Sequence, residues 1–317
     1  MSGARLVADG IWMLDAPFMG VPLMLYVIDG GSEMALVDSG IATTPDDFVL
    51  PFFKAIGRTP GLLVNTHAHV DHFGGNLRLK ESLPGLKVAA HHIDARWIED
   101  TRRHLSEFYR QMPDDWFFED DGEALLALCG ANTAVDRRLL DNDRLKIGNR
   151  EFHVLRSSGH SPGHVTLFEP ATGIAITGDA ALGWGPSTAE GTPDAPSVYY
   201  DADAYLAGAR MVETLRASTY CTGHFGAIDH AGMARIVSDS EAFVASFDEW
   251  TLEALADGAP RTLHEIALHV SSHIPTYEFG FHIHASAQAN LERHAREGRI
   301  GTVVIDGRRH FRRSATS

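Results

Sequence analysis

The first 40 residues alternate apolar stretches with Gly and Asp turns: Gly10-Ile-Trp-Met-Leu, Leu23-Met-Leu-Tyr-Val-Ile and Met34-Ala-Leu-Val. Alternation of this kind predicts the opening meander of a sheet. Helical spacing follows over 45–57 and stops at Gly57. Leu62-Leu63-Val64 is short and apolar enough to be a buried strand, and a helix from near Gly75 to Leu83 is closed by Pro84-Gly85. His91 and His92 end the strand begun by Lys87-Val-Ala-Ala, where they read as structural or rim residues.

Residues 94–134 break this rhythm and predict a helical insertion. Apolar and aromatic side chains recur at helical spacing from Ile93 to Met112 (Trp97, Ile98, Leu105, Phe108, Tyr109), and a short helix is expected over 123–128. Between them Trp116, Phe117 and Phe118 interleave with Asp114, Asp115, Glu119, Asp120 and Asp121. That run is either a solvated loop anchored by aromatics, or the wall of a substrate pocket or a dimer contact. Strand–turn–strand patterning returns over 135–180, with turns at Asn149 and Gly173. A Gly/Pro-rich loop over 183–200 precedes a helix at Asp203–Leu215, and a longer helix runs from Asp229 to Leu255. Asp257-Gly258-Ala259-Pro260 breaks the chain, dividing a domain at 1–258 from a small module at 259–317. That module reads as a helix with a capping box at Thr262 and Glu265, a helix from Gln288 to Gly298, and a hairpin turned at Asp306-Gly307.

Composition narrows the class. The chain has 317 residues, ordinary apolar content and two cysteines far apart, so a disulfide framework is not expected. No stretch approaches a membrane span and the N-terminus lacks a signal-peptide pattern, so a cytoplasmic protein is expected. The formal net charge of −15 disfavours a general nucleic-acid binder, which needs basic surface. It leaves room for an anionic small molecule at a local cationic site.

The chemistry concentrates in Thr66-His67-Ala68-His69-Val70-Asp71-His72-Phe73-Gly74-Gly75. Three imidazoles and a carboxylate within six residues are poor core packing, because each buried ring nitrogen needs a partner. They suit a borderline cation such as zinc, with iron and manganese as alternatives. Further candidates follow in order: His160 in Ser158-Gly-His-Ser-Pro-Gly-His164, Asp179 at the end of Ile174-Ala-Ile-Thr-Gly, and His224 in Thr222-Gly-His-Phe-Gly226.

As a set, over roughly residues 5–230, these motifs resemble the metallo-β-lactamase superfamily of the HxHxDH type. The resemblance implies an α/β (α+β) fold, a four-layer αββα sandwich with two divalent metals along one rim. His67, His69 and His160 would hold the first metal, and Asp71, His72 and His224 the second. Asp179 would bridge them together with a water or hydroxide. Two metals about 3.5–4 Å apart lower the pKa of such a water. Asp38, closing Leu36-Val37, either orients a ligand histidine or is a plain turn residue. His164 is expected to support rather than ligate, and Cys221 to be a buried core thiol. The 259–317 segment resembles a winged-helix module; its Arg308, Arg309, Arg312 and Arg313 suit packing or homodimerisation better than DNA.

The function implied is a dinuclear metal-dependent hydrolase of a small-molecule ester, lactone or thioester. Asp71 would accept or relay a proton. Tyr199 or Tyr200 either places a phenol near the substrate oxygen or packs the start of the next helix. Trp116, Phe117, Trp184 and these tyrosines are the expected walls around the acyl or leaving group. The alternatives are a phosphodiesterase or nuclease, and a mononuclear iron dioxygenase of the same fold. The dioxygenase reading is weakened by Ala180-Ala-Leu-Gly-Trp-Gly, where those relatives carry a Gly-Arg-Thr-Asp-type loop.

Overall fold

A computed structural model describes residues 3–109, 122–188, 191, 193–274 and 280–314. The opening meander is β1 (Ala4–Ala8), β2 (Ile11–Asp15), β3 (Met24–Asp29) and β4 (Met34–Val37), paired antiparallel in turn. The chain then switches to parallel addition through β5 (Leu62–Val64), β6 (Lys87–His91) and β7 (Arg137–Leu139), completing a seven-stranded sheet. A six-stranded second sheet comprises β8 (Arg144–Ile147), β9 (Arg150–Arg156), β10 (Val165–Glu169), β11 (Ile174–Gly178), β12 (Thr219–Thr222) and β13 (Ala227–Ile228).

Period-two side-chain alternation sorts the layers. Ile11, Met13, Tyr26, Ile28 and Val37 pack between the sheets against Leu145, Phe152, Val154, Val165 and Ile176. The opposite face of the first sheet, with Leu14, Leu25, Val27 and Leu36, packs against helical residues such as Phe52, Phe53, Phe73 and Leu79. These belong to α1 (Leu50–Ile56), α2 (Val70–Phe73) and α3 (Asn76–Ser82). Across the molecule, Ala175 and Tyr220 pack on Ala209 and Val212 of α7 (Ala202–Thr214) and on Met233 and Val237 of α8 (His230–Glu253). Helix, sheet, sheet, helix is the expected αββα sandwich. No helix among the described residues is long and apolar enough to cross a membrane.

Three differences from the sequence-based expectation stand out. The helix expected over 93–112 is broken after α4 (His92–Ile98), because Asp100 caps a new start by accepting from the backbone N–H of Arg103. It resumes as α5 (Thr101–His104) and a wider turn, Leu105–Tyr109; α6 (Glu123–Leu128) follows. Trp116, Phe117 and the acidic run lie outside the described residues. Second, the helix expected from Gln288 begins at Phe281. After α9 (Leu263–Ser271), α10 spans Phe281–Arg296, burying a run of small residues (Ala285, Ser286, Ala287, Ala289) that lets it approach its neighbours closely. Third, the segment after Pro260 shares its core with the rest of the chain. Leu263, Ile266, Val270, Phe281, Leu291, Ile300 and Phe311 belong to the same apolar cluster as Phe243 and Phe247 of α8. The closing hairpin, β14 (Ile300–Ile305) and β15 (Arg308–Arg313), turns at Asp306-Gly307.

Candidate metal centre

Every candidate ligand leaves the end of a strand on one rim. Asp38 follows β4, His67–His72 follow β5, His160 follows β9, Asp179 follows β11, and His224 follows β12. Parallel pairing of β4, β5 and β6, and of β11 with β12, brings these ends together. His67, His69, His160 and Asp179 form one group of converging ligand atoms, each within 4.8 Å of the others. Asp71, His72 and His224 form a second on the same criterion. Asp179 joins them: its Oδ2 lies 3.8 Å from His67 Nε2, 3.5 Å from His160 Nε2, 3.2 Å from His72 Nε2 and 3.3 Å from His224 Nε2. Oδ2 of Asp71 is 3.6 Å from His72 Nε2 and 3.7 Å from His224 Nε2.

Each imidazole for which a second contact is seen is held by Nδ1, leaving Nε2 aimed inward. His72 Nδ1 donates to Asp38 Oδ2 at 2.8 Å, His160 Nδ1 to the Val198 carbonyl at 2.8 Å, and His224 Nδ1 to the Pro22 carbonyl at 2.8 Å. The Thr66 hydroxyl donates to Asp38 Oδ2 at 2.8 Å, so at 3.0 Å it accepts from His67 Nδ1. Asp38 therefore orients two imidazoles as well as accepting the Thr66 backbone N–H, and the orienting reading holds over the turn reading. His164 supports without ligating: its Nδ1 meets Ser157 Oγ at 2.9 Å and its Nε2 accepts the backbone N–H of Asp179 at 3.0 Å. His91 accepts from Ile93 at the start of α4 and pairs with Asp141, away from the rim's ligands. Cys221 is a core thiol between the sheets, pushed by burial up to about 12.

What remains is a set of buried polar atoms with no hydrogen-bond partner among the described residues: Nε2 of His67, His69, His72 and His160, and Oδ1 of Asp179. Stranded polar atoms at this density are costly unless something fills the space between them. Burial holds His67, His69 and His160 below the ordinary imidazole range, hence neutral with a lone pair to offer. Burial also opposes charge on His72 and His224, but Asp179 and Asp71 outweigh it, raising His72 well above its usual value and His224 to about 9. Those imidazoles in turn hold Asp179 well below the carboxylate range against the effect of burial. A cation entering here would displace the two imidazolium protons. The neutral imidazoles, the carboxylates and their convergence fit metal binding.

Two residues that shape the centre were missed in the sequence. Asp94, fully buried, accepts the Ala68 backbone N–H at 3.0 Å, the Ser161 hydroxyl at 2.7 Å and the Gly163 backbone N–H at 2.7 Å, joining the loops that carry His67/His69 and His160. Gly223 is required by close approach, since a Cβ there would stand 2.2 Å from Asp179 Oδ1 and 3.2 Å from His72 Cε1.

Above the ligands opens a cleft of about 250 Å³. Phe18, Val21, Tyr109, Leu125, Val198 and Phe281 are among its walls, and His282 reaches it from the first turn of α10. Tyr199 lies away from the cleft lining: it is fully buried, hydrogen-bonded to Asn290 of α10 and stacked on Tyr205. Tyr200 lies closer, its ring 6.3 Å from His69 and 4.4 Å from Phe108, with a buried hydroxyl that has no hydrogen-bond partner among the described residues. Trp184 packs on Phe243 and Trp250 of α8 rather than on the cleft. A larger groove, about 790 Å³, lies at the opposite ends of the strands, where Lys87 and Asp136 pair with each other.

Comparison with known proteins agrees with this geometry. The family model described as the metallo-beta-lactamase superfamily matches residues 24–224. A hydroxyacylglutathione hydrolase of Chelativorans sp. (strain BNC1) is 30% identical over 153 residues, 48% of this chain and 45% of that protein. The human acyl-coenzyme A thioesterase MBLAC2 is 24% identical over 192 residues, 55% of this chain and 64% of the relative. Human persulfide dioxygenase ETHE1 is 27% identical over 150 residues, 47% of this chain and 44% of the relative. The chain spans about half the length of the first curated relatives it matches, 45%, 51% and 53% of each. Among solved structures, a metallo-beta-lactamase family protein from Thermus thermophilus superposes with a TM-score of 0.73 at 20% identity, covering 98% of this chain and 100% of that one. That likeness concerns the fold alone. With the family model spanning the ligand-bearing strands and the ligands converging on one rim, the chain belongs to the metallo-beta-lactamase superfamily.

Proposed function

We propose that the chain is a dinuclear metal-dependent hydrolase of small acyl thioesters. The observation that carries the reading is the pair of ligand groups sharing Asp179 beneath an apolar cleft. Two relatives are named as enzymes acting on thioesters, which favours that bond over an ester or lactone. Two divalent ions, zinc by the chemistry of the donors, would acidify a shared water and neutralise charge growing on the carbonyl oxygen. Hydrolysis adds the water oxygen to the carbonyl carbon and breaks the C–S bond, and the thiolate leaves.

The chain's own residues then have distinct tasks. His67, His69 and His160 would hold one ion, Asp71, His72 and His224 the other, and Asp179, which faces both groups, would help to hold each. Asp71, the more exposed of the two carboxylates in the centre, accepts the proton released by the attacking water. Phe18, Val21, Leu125 and Phe281 exclude water from the acyl chain. His282 gives the cleft a polar tip: burial lowers its pKa to about 4, so it is neutral at pH 7 and offers an N–H to the substrate's polar end. The Tyr200 hydroxyl, unsatisfied among the described residues, is a further donor beside His69.

A panel of acyl thioesters of graded chain length, a lactone, a phosphodiester and a persulfide tests the reading on metal-loaded protein. Thioesters are expected to give the highest kcat/KM. Phosphodiester cleavage or persulfide oxidation without thioester hydrolysis would reject it. His282→Ala should raise KM about tenfold, the worth of one neutral hydrogen bond, with kcat changed less. An unchanged KM across the panel would remove His282 from substrate binding.

A further inference from the structure

A second cluster of metal-type ligands lies outside the cleft, and nothing in the hydrolytic reading uses it. His269, in the last turn of α9, and His273, in the turn beyond it, bring their Nε2 atoms to 3.4 Å. Glu253, the last residue of α8, places Oε2 3.8 Å from His269 Nε2 and 3.6 Å from His273 Nε2. Zinc–nitrogen bonds of about 2.0–2.1 Å in a tetrahedron separate the ligand atoms by roughly 3.3–3.5 Å, so this triangle needs to close by only a few tenths of an ångström. The two facing Nε2 atoms satisfy one another only when one ring carries its proton there and the other does not. As joint acceptors of a cation, with a carboxylate to balance the charge, all three are satisfied.

The ring of His273 is held in place. Trp250, one turn before Glu253 on α8, stacks on it with centroids 5.0 Å apart and planes 10° from parallel. Side-chain exposures of 35% for His269, 30% for His273 and 54% for Glu253 leave the remaining coordination position to water. None of the three lines the cleft.

We infer that Glu253, His269 and His273 form a separate binding site for one zinc-class divalent cation, which clamps α8 to α9. The donor set of two imidazoles and a carboxylate suits late first-row metals rather than calcium or magnesium. The clamp has a mechanical consequence. α9 packs against α10, whose Phe281 and His282 line the cleft, so the bound ion fastens the helix pair that supplies one wall of the catalytic cavity.

Zinc titration of protein whose central site has already been filled and excess metal removed, read by competition with a chromophoric chelator and by thermal unfolding, tests this independently of the hydrolytic centre. Wild type should bind one equivalent more than the double variant His269→Asn/His273→Asn, and added zinc should raise the Tm of wild type only. The double variant should keep its central metals and its turnover, because the exchanged side chains are half-exposed and remote from the cleft. Glu253→Gln should weaken the extra site by at least about tenfold, as even outer partners of a metal are worth that much. Equal zinc stoichiometry in wild type and the double variant, or a Tm rise that both share, would overturn the site.

Discussion

Asp179→Ala will all but abolish turnover and lower the metal content of the centre while leaving the sandwich folded. Its Oδ2 stands within 3.8 Å of four inward-facing imidazole nitrogens. Asp71, by contrast, pairs only with His72 and His224 of its own group. Removing Asp179 loses the side chain that faces both groups, and leaves His72 and His224 without the partner that does most to favour their charged forms. A loss in kcat/KM of at least about 10³, roughly 4 kcal/mol of transition-state stabilisation, is expected. Elemental analysis should find the metal content reduced, with far-UV circular dichroism unchanged. Wild-type turnover in the variant would show that the centre has been misassigned.

Asp94→Ala is expected to act through stability. One side chain satisfies the Ala68 and Gly163 backbone N–H groups and the Ser161 hydroxyl, all buried. Each unsatisfied donor costs about 1–3 kcal/mol. Two effects offset part of that sum. Burial raises the Asp94 pKa despite its three donors, so ionising it in the fold carries a cost that alanine removes. A polar hole of this size can also admit water. A net loss of about 3 kcal/mol is expected, lowering Tm by roughly 5–10 °C in a chain of this length. Asp94→Asn keeps one acceptor and should fall between. Because Asp94 ties the His67/His69 loop to the His160 loop, metal affinity should drop in the same order. An Asp94→Ala protein with wild-type Tm would show that these loops hold their positions without it.

How much of this was legible in the sequence depended on whether a signal was local. The candidate ligands could be picked out because their motifs, in short Gly-marked loops after apolar strands, follow the order of the family they resemble, and the fold brings them to one rim. The orienting role of Asp38 was legible for the same reason. Asp94 was not: in sequence it is an ordinary acidic residue in the first turn of a helix, and its partners lie 26 to 69 positions away. Phe281-His-Ile-His alternates like a strand, which hid both the true start of α10 and the arrival of His282 in the cleft. Tyr199 and Tyr200 are adjacent and chemically identical, and only the packing of α10 turns one phenol to Asn290 and the other ring towards His69. The break at Asp100 was signalled by a good N-cap residue, but the apolar spacing continued through it and masked the signal.

The most direct test is an anomalous difference map from crystals of gently purified protein, collected at the absorption edge of the metal it carries. Two peaks about 3.5–4 Å apart should flank Asp179 Oδ2, one among His67, His69 and His160 and the other among Asp71, His72 and His224. A single peak in fully active crystals, or density that bypasses Asp179, would contradict the dinuclear account.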